Sequence, residues 1–307
     1  MPVTTGAAAK LLWPGLNDQF GQMYKEYPLE CMDLVEVKTS DKAWEEVLGM
    51  RTMGLAPIKT QGGSISYDEW KQTWVKRYTH IVYGLGCIVT REMLEDDQYN
   101  IAKIISGKGG QAVQGLAFSL RQTKEVVVAN HFNRGFDSTY KGGDGKEFFA
   151  TDHPLDAGGT ISNELATSAD LSELSLEQMC IDIAGYVNDA GLKIAAKPVS
   201  LHVPKELVFD AHRILKSTLQ NDSAENAINA LRSMNMIPGG VKVNHYFTDT
   251  DAFFVKTDIP GAKMFVQRPA EFQIDGDFDT ENSRFKSTER YSSGWDDFRC
   301  YHGSPGG

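Results

Sequence analysis

Paired cysteines are absent from this chain of 307 residues. Its four thiols, Cys31, Cys87, Cys180 and Cys300, lie far apart. Zinc ribbons and dithiol redox centres need two thiols within a few residues, so the spacing excludes both. Scattered single thiols fit a reducing compartment, where they stay free. Long hydrophobic runs are missing as well, and nothing approaches the roughly 20 apolar residues of a membrane span. Residues 1–14 hold one lysine and no apolar run, which predicts no secretory signal and a protein used in water. Positive charge is also scarce. With 31 basic against 41 acidic residues, the formal charge is −10 and the pI about 5.2. That balance argues against direct reading of nucleic acid, which leaves a basic footprint. Apolar content of 41% and charged content of 23% are those of an ordinary folded chain, long enough for one large domain or two intertwined ones.

Catalytic and metal-binding motifs are missing in the same way. Gly142-Gly143-Asp144-Gly145-Lys146 has the look of a phosphate loop, but Tyr140 and Glu147 stand where a Walker motif needs Gly and Ser or Thr. The run therefore reads as a flexible turn. Asp275, Asp277, Asp279 and Glu281 alternate, yet Thr280 and Lys286 occupy the Gly and Glu positions of a calcium loop. Alternate acids share one face of a strand, and a solvated edge accounts for them. The seven histidines include no pair at two-turn metal spacing. Asp152-His153-Pro154 is the most pointed group, because a carboxylate can orient an imidazole as a base. Adjacent side chains rarely face each other, however, and Asp ahead of Pro commonly starts a turn. No Gly-x-Ser-x-Gly elbow supplies a nucleophile. No catalytic, cofactor or metal residue is assigned.

What the chain does have is a change of period along its length. Residues 1–45 read as an extended arm with turn points at Trp13-Pro14-Gly15 and Tyr27-Pro28. Ile58 and Thr60 enter Gln61-Gly62-Gly63, and Ile65 and Tyr67 leave it, a hairpin signal. Tyr78, His80, Val82 and Gly84 then alternate with Thr79, Ile81, Tyr83 and Leu85, a ribbon that meets protein on both faces. From Met93 to Asn133 the spacing becomes helical through Ile101, Ile104, Ile105, Ala112, Val113, Leu116, Leu120 and Val127. Gly107, Gly109 and Gly110 predict a kink or break within it. After a Gly- and Asp-rich loop over 135–170, a helix starts at Ser175, in capping-box spacing with Gln178, and ends at Gly191. Strand Pro198–Val203, a helix through Leu207, Val208, Ala211, Ile214 and Leu215, and a helix through Ala227, Ile228, Leu231 and Met234 come next. Strands Val241–Phe247 and Ala252–Lys256 lead to a C-terminal sheet, and the mixed order says α+β. That sheet holds Phe285, Tyr291, Trp295, Phe298 and Tyr301 within seventeen residues. A terminus with so much apolar surface is built into the fold and not frayed.

These segments also carry a resemblance. Glu289-Arg290-Tyr291-Ser292-Ser293-Gly294-Trp295, with Asp297-Phe298-Arg299 and Tyr301-His302-Gly303-Ser304-Pro305, resembles the closing segment of tailed-phage major capsid proteins. Trp13-Pro14-Gly15-Leu16-Asn17, Tyr27-Pro28-Leu29-Glu30, Lys76-Arg77-Tyr78-Thr79-His80, Leu120-Arg121-Gln122-Thr123-Lys124-Glu125 and Asn163-Glu164-Leu165-Ala166-Thr167 resemble the same group in collinear order. The family implies the α+β Hong Kong 97-type capsid fold. Its parts map to an N-terminal arm at 1–46, an extended β-hairpin loop at 47–86, a peripheral domain at 87–174 and 262–307, and an axial domain at 175–261. The long spine helix falls at about 93–133.

The resemblance implies a subunit that assembles with itself as hexamers and pentamers into an icosahedral or prolate shell around double-stranded DNA. It is made in the host bacterial cytoplasm and located in the virion. Implied partners are a scaffolding protein, a portal, a decoration or cement protein and, non-specifically, the packaged DNA, with no membrane. Candidate inter-subunit contacts are Trp13, the hairpin tip Gln61, Gly62 and Gly63, and Trp70 and Trp74, which alternatively pack within their own subunit. Arg121, Lys124, Arg134, Lys141 and Lys146 form a solvated helix face or, in a shell, touch DNA phosphate. Two alternatives stand beside this reading: a hydrolase with its site at Asp152 and His153, and a ring-, tube- or compartment-forming protein.

Overall fold

Leu29 and Glu30 lead into a one-turn helix, α1 (Cys31–Leu34), and then strand β1 (Glu36–Thr39). The computed structural model describes residues 18, 20–25, 28–90, 92, 111–219, 228–276 and 281–307. Trp13 to Gly15, Tyr27, the helical stretch expected before Gln111 with Gly107 to Gly110, and Asp277 and Asp279 lie outside the described residues. Strands β2 (Trp44–Arg51) and β3 (Lys71–Thr79) pair antiparallel. β4 (Ile81–Val89) then leaves them and runs along another sheet. Helix α2 spans Gln111–Asn133.

The first sheet has the order β1-β10-β11-β4. Its spine is the antiparallel pair β10 (Ala262–Gly276) and β11 (Ser283–Trp295), with register shifts between Val266 and Arg268 and between Arg268 and Glu271. β1 joins parallel to β10, and β4 joins antiparallel to β11. α2 lies across β11 and β4. Near its start, Val113, Leu116, Ala117 and Leu120 pack on Val89, Phe272, Phe285 and Phe20. Near its end, Val128, Ala129 and Phe132 enter an aromatic core with Phe148, Phe149, Phe254, Tyr291, Trp295 and Tyr301. The late aromatic run is therefore buried throughout, Trp295 and Tyr301 included. Val127, assigned to the inward stripe by its spacing, is only half-buried, and Val128 takes the inner position.

Two short strands, β5 (His153–Pro154) and β6 (Thr160–Ile161), pair within the loop that follows. The second core is built from the helices and strands expected after residue 170, with shifted boundaries. Helix α3 (Glu173–Ala184) starts earlier than Ser175 because Ser172 is the N-cap. The Ser172 hydroxyl accepts from Ser175 N–H, and the Ser175 hydroxyl accepts from Ser172 N–H. The helix stops at Gly185, and Gly191, at φ 78°, serves a later turn where its N–H reaches the Asn188 carbonyl. Leu176, Met179 and Ile183 pack on Leu201 and Val203 of β7 (Pro198–Pro204). Helix α4 (Val208–Lys216) follows, and α5 covers Ala230–Ser233; Ile228 bridges Leu219 and is not helical, and Ala227 lies outside the described residues. β8 (Val241–Asn244) ends early because the Asn244 side chain takes the Tyr246 N–H. β9 (Phe253–Thr257) and β12 (Tyr301–Ser304) complete a sheet of order β12-β9-β7-β8.

Candidate interaction surface

The hairpin is not where the glycine turn alone placed its strands. Ladder pairing runs from Trp44–Thr79 to Arg51–Lys71, and residues 52–70 join the two strands with no strand of their own. At the far end Gly62 adopts φ 79° and Gly63 N–H meets the Thr60 carbonyl at 3.0 Å, so the turn exists. The expected strands about Ile58 and Ile65 do not form, since neither segment has a packed face within the subunit. Leu55 is 84% exposed, Ile58 96%, Tyr67 92% and Trp70 69%, with Met53 and Ile65 also exposed. Six large apolar side chains in eighteen residues of free-standing loop are not the usual scatter of surface hydrophobics. Burying Leu55, Ile58 or Ile65 on a partner would contribute about 1.5–3 kcal/mol each.

The base of the hairpin, by contrast, is anchored to its own subunit. Asp156, in the turn between β5 and β6, accepts from Arg51 at 2.9 Å and Lys71 at 2.5 Å. These two donors hold its carboxyl below the usual aspartate range. Asn188 donates to Thr52 at 2.9 Å, and the Thr73 hydroxyl lies 3.3 Å from Asp189. Tyr78 inserts its ring against Phe265 and donates to the buried Asp296, which also holds Lys263. Trp70 and Trp74 therefore part company. Trp70 stands on the exposed loop, whereas Trp74 is half-buried against Gly49 and Gly143, where an added Cβ would come within 2.5 Å and 3.0 Å of its ring. Gln61 and Gly62 are exposed at the tip, with Gly63 partly covered.

A second set of contacts was missed by spacing arguments, although its signal was present. The buried stripe of α2 continues through positions 121, 124 and 125, where the residues are Arg, Lys and Glu. Arg121 and Lys124 are thus buried, not a solvated face, and all three side chains grip the segment before β1. Glu125 accepts the N–H groups of Glu30 and Cys31, both at 2.8 Å, capping the exposed donors of α1. Burial holds its carboxyl above the usual range. Arg121 donates to the Pro28 carbonyl at 2.7 Å. Lys124 pairs with the fully buried Glu289 of β11 at 2.7 Å and donates to Tyr24, whose hydroxyl reaches Glu289. Arg134 and Lys141 remain exposed, and Lys146 pairs with Asp152 at 2.5 Å.

That last pair also decides the fate of Asp152-His153. Asp152 faces Lys146, while His153 is fully buried and stacked on Phe298 at 3.7 Å. Its Nδ1 meets Asp144 at 2.6 Å and its Nε2 meets Asn163 Oδ1 at 3.0 Å. Asn163 is oriented by donating to the carbonyls of Phe148, Phe298 and Tyr301. Both ring nitrogens face acceptors, so neither faces a substrate, and the proposed Asp–His dyad is not formed. Gly142 to Lys146 is a tight turn, with Gly142 packed against Trp295. Among the described residues no group of three His, Cys, Asp or Glu side chains is arranged to hold a metal, and no helix is long and apolar enough to cross a membrane.

Residues 74–301 match the model of a family described as phage capsid protein. In structure the chain is similar to a virus-like particle from Pyrococcus furiosus, with a TM-score of 0.54, 10% identity, and coverage of 94% of this chain and 97% of that one. It is also similar to a phage-related protein from Bordetella bronchiseptica, with a TM-score of 0.51, 12% identity, and coverage of 93% and 95%. The capsid of Myoviridae phage XM1 gives a TM-score of 0.50 at 10% identity over 91% and 92%. No curated protein matches the sequence. At such identities the likeness speaks for the fold, which is the α+β Hong Kong 97-type capsid fold expected from the sequence.

Proposed function

The chain belongs to the phage capsid protein family, and from that premise we propose that it assembles as hexamers and pentamers into an icosahedral or prolate shell around double-stranded DNA. It is a structural capsid protein of a tailed phage and not an enzyme. We assign residues 1–46 to the arm, 47–86 to the extended loop, 87–174 with 262–307 to the peripheral domain, and 175–261 to the axial domain. The observation that carries this reading is the loop over 52–70, exposed and apolar beyond a base that Asp156, Asn188 and Asp189 fasten down. A free-standing two-stranded ribbon is marginal in water, so this one gains its order from a neighbouring copy. Trp70 and the tip Gln61-Gly62-Gly63 are its contacts, and Trp13 adds one from the arm. Trp74 instead seats the ribbon on its own subunit. A scaffolding protein, a portal and a decoration protein complete the assembly, and synthesis takes place in the host bacterial cytoplasm.

Deleting residues 59–66 tests the reading. The subunit should keep a near-native circular dichroism spectrum, because none of the deleted residues enters a core, yet fail to close shells by electron microscopy. Shells of normal size from the deletion variant would refute the role given to the loop. The likeness to the Pyrococcus furiosus virus-like particle favours a second reading, a compartment without a phage genome. Shells purified from cells under nuclease would then contain no protected DNA.

A further inference from the structure

A cleft of about 490 Å³ opens between the base of the hairpin, the end of α2 and the loop after it. Its lining includes Lys76, His131, Arg134 and Lys141 and contains no carboxylate. In a chain of formal charge −10 this is an unusual concentration of one sign. Elsewhere on the hairpin and its anchors the cations are neutralised: Arg51 and Lys71 by Asp156, Arg77 by Glu46, Lys146 by Asp152, and Arg299 by Asp189. Among the described residues, Lys76, Arg134 and Lys141 have no such ion pair. Lys76 instead hangs 5.1 Å above the Trp295 ring and donates to the Lys141 carbonyl at 3.2 Å. The Arg134 guanidinium lies 4.8 Å from the Tyr140 ring, which stiffens it.

The electrostatics agree with the geometry. Burial lowers the Lys76 pKa against the opposing pull of Asp144 and Asp296. His131 is pushed down to about 4, first by burial and then by the charges of Lys76 and Arg134. Asp144 and Asp296 act on Lys76, and Asp137 lies within the field of Arg134, but no carboxylate lines the space itself, so an anion entering it would relieve the mutual repulsion of the lining cations. A single carboxylate carries one charge and would leave most of that repulsion in place, whereas a phosphate carries more charge and several acceptor oxygens. Arginine's planar fork matches phosphate bidentately, and lysine binds it as a point charge.

We propose that this cleft is a phosphate-binding site, filled by a phosphate group of the DNA backbone or by a free phosphate. The inference rests on the capsid reading only for the backbone as a source. Titration calorimetry of the purified subunit with sodium phosphate and, separately, with a short DNA duplex distinguishes the two. The test variant is Arg134→Gln with Lys141→Gln, both at exposed side chains. Each cation removed should weaken binding about tenfold or more. For the duplex, the slope of log affinity against log salt should fall by about two.

Binding of the duplex alone, lost in the variant, assigns the cleft to the DNA backbone. Binding of free phosphate alone, lost in the variant, assigns it to a small phosphate ligand. The proposal is overturned if neither probe binds or if the variant binds both as well as the parent does. It is equally overturned if the variant loses only the ability to assemble, since the cleft would then meet an acidic side chain of a second copy. Shell formation is scored on the same preparations. Shells without phosphate binding sink the cleft and leave the capsid reading standing, and phosphate binding without shells does the reverse.

Discussion

Replacing Lys124 by Met should cost the subunit about 3–5 kcal/mol, the range for removing one partner of a buried ion pair. The figure belongs at the high end of ordinary substitutions because of what remains. Glu289 is fully buried on β11, and its Oε1 has no hydrogen-bond partner among the described residues. Among the described residues its Oε2 is held by Lys124 at 2.7 Å and the Tyr24 hydroxyl at 3.0 Å. Without the ammonium, a carboxylate stays in the core with one neutral donor, and most of the loss is the cost of that stranded charge. Lys124→Met combined with Glu289→Gln should therefore be more stable than Lys124→Met alone, because a neutral amide tolerates the site. Urea unfolding of the purified subunits, read by midpoint and slope, gives the cycle directly. A loss below about 1 kcal/mol for Lys124→Met would show that water reaches the pair. Additive losses in the double variant would show that the two side chains act independently, and either result refutes the reasoning.

Two further outcomes follow from the buried rings. Trp295 stacks on Phe148 at 4.7 Å and is only 6% exposed, so Trp295→Ala should lower stability by about 3–5 kcal/mol; an unchanged unfolding midpoint would mean the ring contributes no packing. His202 and His302 are buried and pushed down to about 3 by burial. A lowered folded pKa means that the unfolded chain takes up protons first as pH falls below about 6.5, and stability is lost from there down to about pH 3. At pH 5 each imidazole should cost about 2 kcal/mol, partly offset by the carboxyls of Glu125 and Asp296, which burial holds high. Unfolding at pH 5 that takes up no protons would show that these rings are hydrated in the folded state.

How far the sequence could be read depends on how local each signal is. Period and turn chemistry are local, so α2, the hairpin and the closing aromatic strand were all legible from spacing and composition. The cap of α3 was misplaced by one turn because Ser172 and Ser175 both carry a capping hydroxyl, and only tertiary packing chooses between them. The strands expected beside Gln61-Gly62-Gly63 failed for the opposite reason. A turn signal fixes where a chain reverses, but a ladder needs a packed face to hold it, and residues 52–70 have none within this subunit. Asp144 as the partner of His153 lay nine residues away across a tight turn, a relation that no linear spacing rule encodes.

The polar positions of α2 are the most instructive case, because there a residue type and its period disagreed. Arg121, Lys124 and Glu125 are charged, which suggests a solvated face, yet they continue the three- and four-residue rhythm of Leu116, Ala117 and Leu120 into Val128 and Ala129. The rhythm was the truer guide. A helix keeps its inward stripe regardless of composition, since its other face is already committed to solvent. A charge on that stripe must then find a partner or destabilise the fold. Its partners here are Pro28, Tyr24, Glu289 and the opening N–H groups of α1. Charged residues in the apolar register of a helix are thus a sequence signal for an incoming segment that carries polar backbone to the core. In this chain that segment is the stretch through Pro28, Glu30 and Cys31 ahead of β1, fastened to the same helix whose far end forms the wall of the proposed phosphate cleft.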